Sequence, residues 1–160
     1  MLDRVHRAVL QLFRRLPRRA RLAVVHTVAP SYSVGAMCIV RRADGRILLV
    51  RHTYRRRWGV PGGLLNRKED PWHAGRREAR EEVGLDIDLI GQPAVVVEPR
   101  SRRIDLVFRA QPVREADADL ATPSSPEIME CRWFALDDLP DLQHETAGAL
   151  NVLTKTFGDW

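Results

Sequence analysis

Residues 61–85 read PGGLLNRKEDPWHAGRREAREEVGL, a glycine-containing turn followed by a helix whose own sequence starts and stops it. Asp70 before Pro71 is an N-cap with proline at the first helical position, where a missing N–H leaves nothing unsatisfied. Gly84 suits a left-handed C-cap, so a helix is expected from about Pro71 to Val83. On that helix Glu78, Glu81 and Glu82 stand at i, i+3 and i+4 and share one face. Like charges so spaced repel by roughly 0.2–0.5 kcal/mol per pair on an exposed helix, so the clustering needs a reason.

Clustered carboxylates serve a solvated face, a salt-bridged face or a hard-cation site. Arg76, Arg77 and Arg80 are close enough in sequence to partner individual acids, which keeps the salt-bridge reading open for any one of them. Neither of the first two readings requires the glycines upstream. A divalent cation takes several oxygens converging from a helix and from neighbouring irregular backbone, and the PGG of residues 61–63 offers carbonyls that no bulky side chain obscures. The repulsion then becomes affinity for Mg²⁺ or Mn²⁺.

The flanking pattern sets the architecture. SVGAMCIVRR and RILLVRH are apolar runs joined by Asp44-Gly45 and read as two antiparallel strands of a hairpin. From Thr53 to Glu69 the chain is polar and rich in Gly and Pro, which predicts an irregular loop. Beyond the helix, IDLIGQPAVVVE and RIDLVFRAQP read as strands, the second alternating Ile104, Leu106 and Phe108 with Asp105 and Arg109. Val113 to Ser125 reads as a loop, MECRWFAL as a strand, and QHETAGALNVLTKTF as a closing helix with Leu150, Leu153 and Phe157 at core spacing. Strands, helix, strands, helix make a mixed α/β sandwich of the α+β class.

At 160 residues the chain fits one domain with a sizeable core. All of its 26 basic residues except Lys68 and Lys155 are arginine, and the formal net charge is +5. Residues 1–21 hold seven arginines against Asp3, so the basic excess belongs to an N-terminal arm and the body is close to neutral. The arm places apolar residues at 2, 5, 9, 12, 13 and 16, near helical spacing, until Pro17 interrupts it. Such a basic amphipathic helix suits an anionic membrane or a nucleic acid, or packs its leucines on the body with arginines in water, the more common arrangement. Cys38 and Cys131 lie far apart in apolar stretches and read as buried free thiols in a reducing compartment. No run nears the ~18 apolar residues of a membrane span, and the N-terminal apolar runs are too short and too broken for a signal peptide. A cytoplasmic location is expected.

The segment from Gly63 to Leu85 resembles the Nudix box, G-x5-E-x7-R-E-U-x-E-E-x-G-U with U apolar. Gly63, Glu69, Arg77, Glu78, Glu81, Glu82 and Gly84 occupy its fixed positions, and Ala79 and Leu85 its apolar ones. With WGVP, the two upstream strands and EIMECRWFALDDLP, the likeness covers about residues 33–145. It divides the chain into an arm, 1–30, and a Nudix hydrolase domain, 31–160, expected as an α/β/α sandwich with a mixed sheet. The resemblance implies metal-dependent hydrolysis of a nucleoside diphosphate linked to another moiety, with nucleoside triphosphates and nucleotide sugars as first candidates. It implies that Glu78, Glu81 and Glu82, with the carbonyl of Gly62, hold the cation, and that one glutamate orients or deprotonates the attacking water. Glu69 and Arg77 become an ion pair tying loop to helix. Gly63 and Gly84 mark turns where positive φ is expected. Glu127, on the loop before the last strand, is a further acid that reaches the metals in some members; a plain loop glutamate is an equal alternative.

Substrate recognition is less legible. Arg51, Arg55, Arg56 and Arg57 suit phosphate clamping or an exposed loop, and Trp58 suits stacking on a base or packing beside the PGG turn. The five histidines are scattered with no triad or zinc spacing. Two other functions share these residues: a nucleotide-sensing module without turnover, and a pyrophosphohydrolase for RNA 5′ ends recruited by the basic arm.

Overall fold

A computed structural model of the chain describes residues 2–158. Two compact units make it up, one ending at Tyr32 and the other beginning at Ser33. The first consists of α1 (Leu2–Arg15) and α2 (Arg18–Val28), separated at Pro17. The second runs β1 (Ser33–Val40), β2 (Ile47–His52), β3 (Gly62–Leu64), α3 (Pro71–Val83), β4 (Ile87–Glu98), β5 (Arg103–Pro112), β6 (Ile128–Phe134) and α4 (His144–Phe157).

One sheet has the order β3-β1-β5-β4, with β1 parallel to β5 and the other neighbours antiparallel. A second, two-stranded sheet pairs β2 antiparallel with β6. The central strands are apolar on both faces because each face is covered. Ala36, Cys38 and Val40 of β1, Leu48 and Val50 of β2, and Phe108 of β5 pack with Ala74, Ala79 and Val83 of α3. Met37 and Ile39, Ile47 and Leu49, and Val107 pack with Ala149 and Leu153 of α4. Period-two alternation thus feeds two cores, and this second unit is an α/β/α sandwich with a mixed sheet.

The expected hairpin is corrected. A turn at Arg42–Arg46, with Gly45 at φ 87°, does reverse the chain, but only Arg41 and Ile47 bridge across it before the strands part into different sheets. The wedge is the segment 59–64. Gly59 exchanges both backbone hydrogen bonds with Val50 of β2, while Pro61 O accepts from Cys38 N and Gly62–Leu64 pair with β1 as β3. Part of the predicted irregular loop is therefore a strand, held between two partners that alternation alone paired with each other. The predicted loop at 113–125 likewise contains a short 3₁₀ turn, Glu115–Leu120.

Helix α3 is held as its sequence predicts. Asp70 accepts from Trp72 N and His73 N at the start, and Gly84 closes the end at φ 67°. Gly75 brings the helix close to β1, since a Cβ there would lie 2.9 Å from Cys38 Sγ.

Candidate active site

The wedge and the helix together build the site. Gly62 has φ 154°, and a Cβ on it would strike Ala36 O of β1 and stand 2.9 Å from Met37 Cα. Gly63, expected at positive φ, is not among the positive-φ residues. Its lack of a side chain serves instead to admit the Glu78 carboxylate, whose Cδ would be 2.7 Å from a Cβ. The two glycines thus let β3 sit against β1 on one side and against an acid on the other.

Arg77 organises the carboxylates. Its Nε and Nη2 donate to Glu69 Oε1 and Oε2 at 2.7 and 2.9 Å, and its Nη1 donates to Glu78 Oε1 at 2.8 Å and Glu81 Oε2 at 3.0 Å. The bidentate pair, with Asn66 N–H donating as well, draws the Glu69 carboxyl down to about 2. Glu78 moves the other way, because burial raises its pKa against the pull of Arg77. Glu82 is 6% exposed; Gly62 N donates to its Oε2 at 3.0 Å, and His52 Nε2 lies 3.4 Å from its Oε1.

The loop before β6 docks on the C-terminal end of α3. Thr122 N donates to Val83 O and Ser124 N to Glu82 O, so this loop satisfies carbonyls at the C-terminus of α3. Glu127 follows, its N–H on Ser125 Oγ and its carbonyl accepting from Thr53 N. Its charge lies close to Tyr54; burial first and the Glu127 charge second raise the tyrosine pKa.

Glu78, Glu81, Glu82 and Glu127 line one cleft of about 1010 Å³ with Gly62, Gly63, His52, Tyr54, Arg55 and Arg103. Among the described residues no three acidic, His or Cys side chains already stand as a cation cage; Arg77 spans Glu78 and Glu81 while His52 faces Glu82. The donor set is nonetheless carboxylates from one helix beside glycine backbone, the hard oxygens that Mg²⁺ or Mn²⁺ takes. The residues fit such an ion.

Arg51, Arg57 and Trp58, the expected substrate-side residues, are not among those lining this cleft. Arg51 pairs with Glu130 at 2.6 Å across β2 and β6. Trp58 packs edge-on against Phe134, and the Arg57 carbonyl accepts from Gln143 Nε2. Of that arginine run only Arg55 reaches the cleft, and Arg103 joins it from β5. His52 and Arg103 carry no motif in the sequence. Parity was the available signal for His52, which continues the inward series Leu48 and Val50.

A protein-family model described as NUDIX domain matches residues 31–154. The chain belongs to the Nudix hydrolase family. Members act on nucleoside diphosphates linked to another moiety and generally use divalent metal ions. A MutT-like protein of Streptomyces ambofaciens is 29% identical over 119 residues, covering 74% of this Nudix chain and 74% of that protein. A CMP-5'-(N-acetyl-N-hydroxy-3-aminopropyl)phosphonate hydrolase of Streptomyces rubellomurinus is 29% identical over 114 residues, 67% of this chain and 53% of that one. The crystal structure of a NUDIX hydrolase from Nitrosomonas europaea superposes with TM-score 0.68 at 22% identity, over 80% of this chain and 73% of that chain, and shares the fold. No helix among the described residues is long and apolar enough to cross a membrane.

Proposed function

We propose that this Nudix enzyme cleaves a phosphoanhydride in a nucleoside diphosphate linked to another group, with nucleoside triphosphates and nucleotide sugars as its first substrates. The observation that carries the reading is the meeting of Glu78, Glu81 and Glu82 with the Gly62–Gly63 backbone in a cleft also lined by Glu127, Arg55 and Arg103. At about 1010 Å³ the cleft has room for a nucleotide. The Streptomyces rubellomurinus relative, named for a CMP-linked phosphonate, supports a nucleotide joined to a variable partner.

Mg²⁺ or Mn²⁺ would be held by Glu78, Glu81, Glu82 and the Gly62 carbonyl; when bound it supplies charge neutralisation for the phosphates. The protein's own groups do the rest. Arg77 orients Glu78 and Glu81, while Gly62 N–H and His52 hold Glu82. Glu127 reaches the cleft from the loop before β6 and not from α3, and in this reading it accepts the proton of the attacking water. In this reading Arg55, paired with Glu145, and Arg103, paired with Asp105, are the cleft cations that turn to the phosphates of the substrate.

The test is a panel of nucleoside triphosphates, nucleotide sugars, ADP-ribose and dinucleoside polyphosphates assayed with Mg²⁺, Mn²⁺ or chelator, with products identified. Turnover of one class that stops with chelator is the expected result. Nucleotide binding without turnover under every metal would replace the enzyme with a sensor.

A further inference from the structure

The hydrolase domain leaves residues 2–28 without a task, and their chemistry is specific. In α1, Val9, Leu12 and Phe13 fall within an arc of about 100°, while Arg7, Gln11, Arg14 and Arg15 occupy the other side. Val9 and Leu12 are 59% and 66% exposed, and in α2 Leu22 and Val25 are 47% and 46% exposed. Among the described residues, Arg14, Arg15, Arg18 and Arg19 form no ion pair, whereas Arg42, Arg51, Arg77 and Arg103 of the second unit each face a carboxylate.

We infer that α1 and the start of α2 lie on an anionic lipid surface, apolar stripe in the acyl boundary and arginines among the headgroups, bringing the hydrolase domain to the membrane. Unpaired cations alone would serve RNA equally well. The apolar stripe decides between them, because a phosphate backbone offers it nothing and a bilayer buries it. Clustered arginines add attraction for anionic headgroups, and salt screens it.

Co-sedimentation of the full chain with vesicles tests this, using phosphatidylcholine alone and phosphatidylcholine mixed with phosphatidylglycerol. Binding to the mixed vesicles is expected, with affinity lower by about tenfold or more on neutral vesicles, at high salt, in Leu12→Glu and in Arg14→Ala/Arg15→Ala. Hydrolysis of a soluble nucleotide should be equal in all these proteins, which shows that each has folded. Failure of the wild type to bind mixed vesicles overturns the inference. So does RNA binding that Leu12→Glu leaves intact in a chain that ignores vesicles, which makes the arm a nucleic-acid contact. Loss of melting temperature or of a dimer in Leu12→Glu, again without vesicle binding, would assign the stripe to protein packing instead.

Discussion

Glu82 is nearly buried, yet two groups approach its carboxylate, the Gly62 N–H and His52 Nε2. Glutamine keeps its shape and an acceptor for Gly62 but removes the charge a cation needs. Glu82→Gln is therefore expected to lower kcat by about a hundredfold or more with melting temperature almost unchanged; a near-normal kcat would take Glu82 out of the site. Glu69 makes a different prediction. With its carboxyl held at about 2 against an ordinary 4.5, folding favours the ionised form. Its stabilisation is complete above the ordinary value and is lost as pH falls toward the folded one. Melting temperature followed from neutral pH down to about pH 3 should decline less in Glu69→Gln than in wild type. Parallel curves would deny the ion pair a role in stability.

At the scale of elements, two glycines do work that the box pattern does not distinguish. Gly84 closes α3 in the left-handed region, and a Cβ there would come 2.8 Å from Ser124 Oγ on the loop that leads to Glu127. Gly84→Ala should cost about 1 kcal/mol or more in denaturant unfolding and lower kcat as well, because the loop is moved with the cap. An effect on stability alone would show that the loop position is unimportant for turnover. Gly63 is in ordinary backbone conformation, so alanine strains no dihedral; it pushes on the Glu78 carboxylate. Gly63→Ala should keep the helical circular-dichroism signal and, with Glu78 holding the cation as proposed, lose about tenfold or more in kcat/KM through displacement of that carboxylate. Unchanged kinetics would mean that Glu78 can retreat without consequence.

For the whole molecule, both core clusters draw their buried residues from Ala36 onward. A chain lacking residues 1–30 is expected to melt cooperatively and to hydrolyse soluble nucleotide at close to the full-length rate. Aggregation or loss of turnover in the truncated chain would assign the arm a structural part in the hydrolase domain. The α/β/α layering also explains why the cleft opens where it does: the strands β1 and β2 diverge, and the wedge that separates them carries the glycines to the acids of α3.

Helix α3 was readable to the residue because its information is local: an Asp-Pro start, a glycine stop, and glutamates at one helical pitch are set by contacts within a few residues. The family box added Glu69 and Arg77 at fixed spacing, and their side chains do meet. The separation of β1 from β2 was not readable, since two apolar strands and a turn describe a hairpin equally well whether or not a third segment enters between them. Long-range packing decided that, and with it which polar residues face the cleft. Arg51 and Trp58 looked suited to substrate by type and proximity, but one is held by Glu130 and the other against Phe134. His52 and Arg103 carried no motif, and the tertiary fold brings them to one cleft from strands some 50 residues apart. Local hydrogen bonding writes itself into sequence spacing; the facing of one sheet toward another element does not, because it depends on every strand that packs between them.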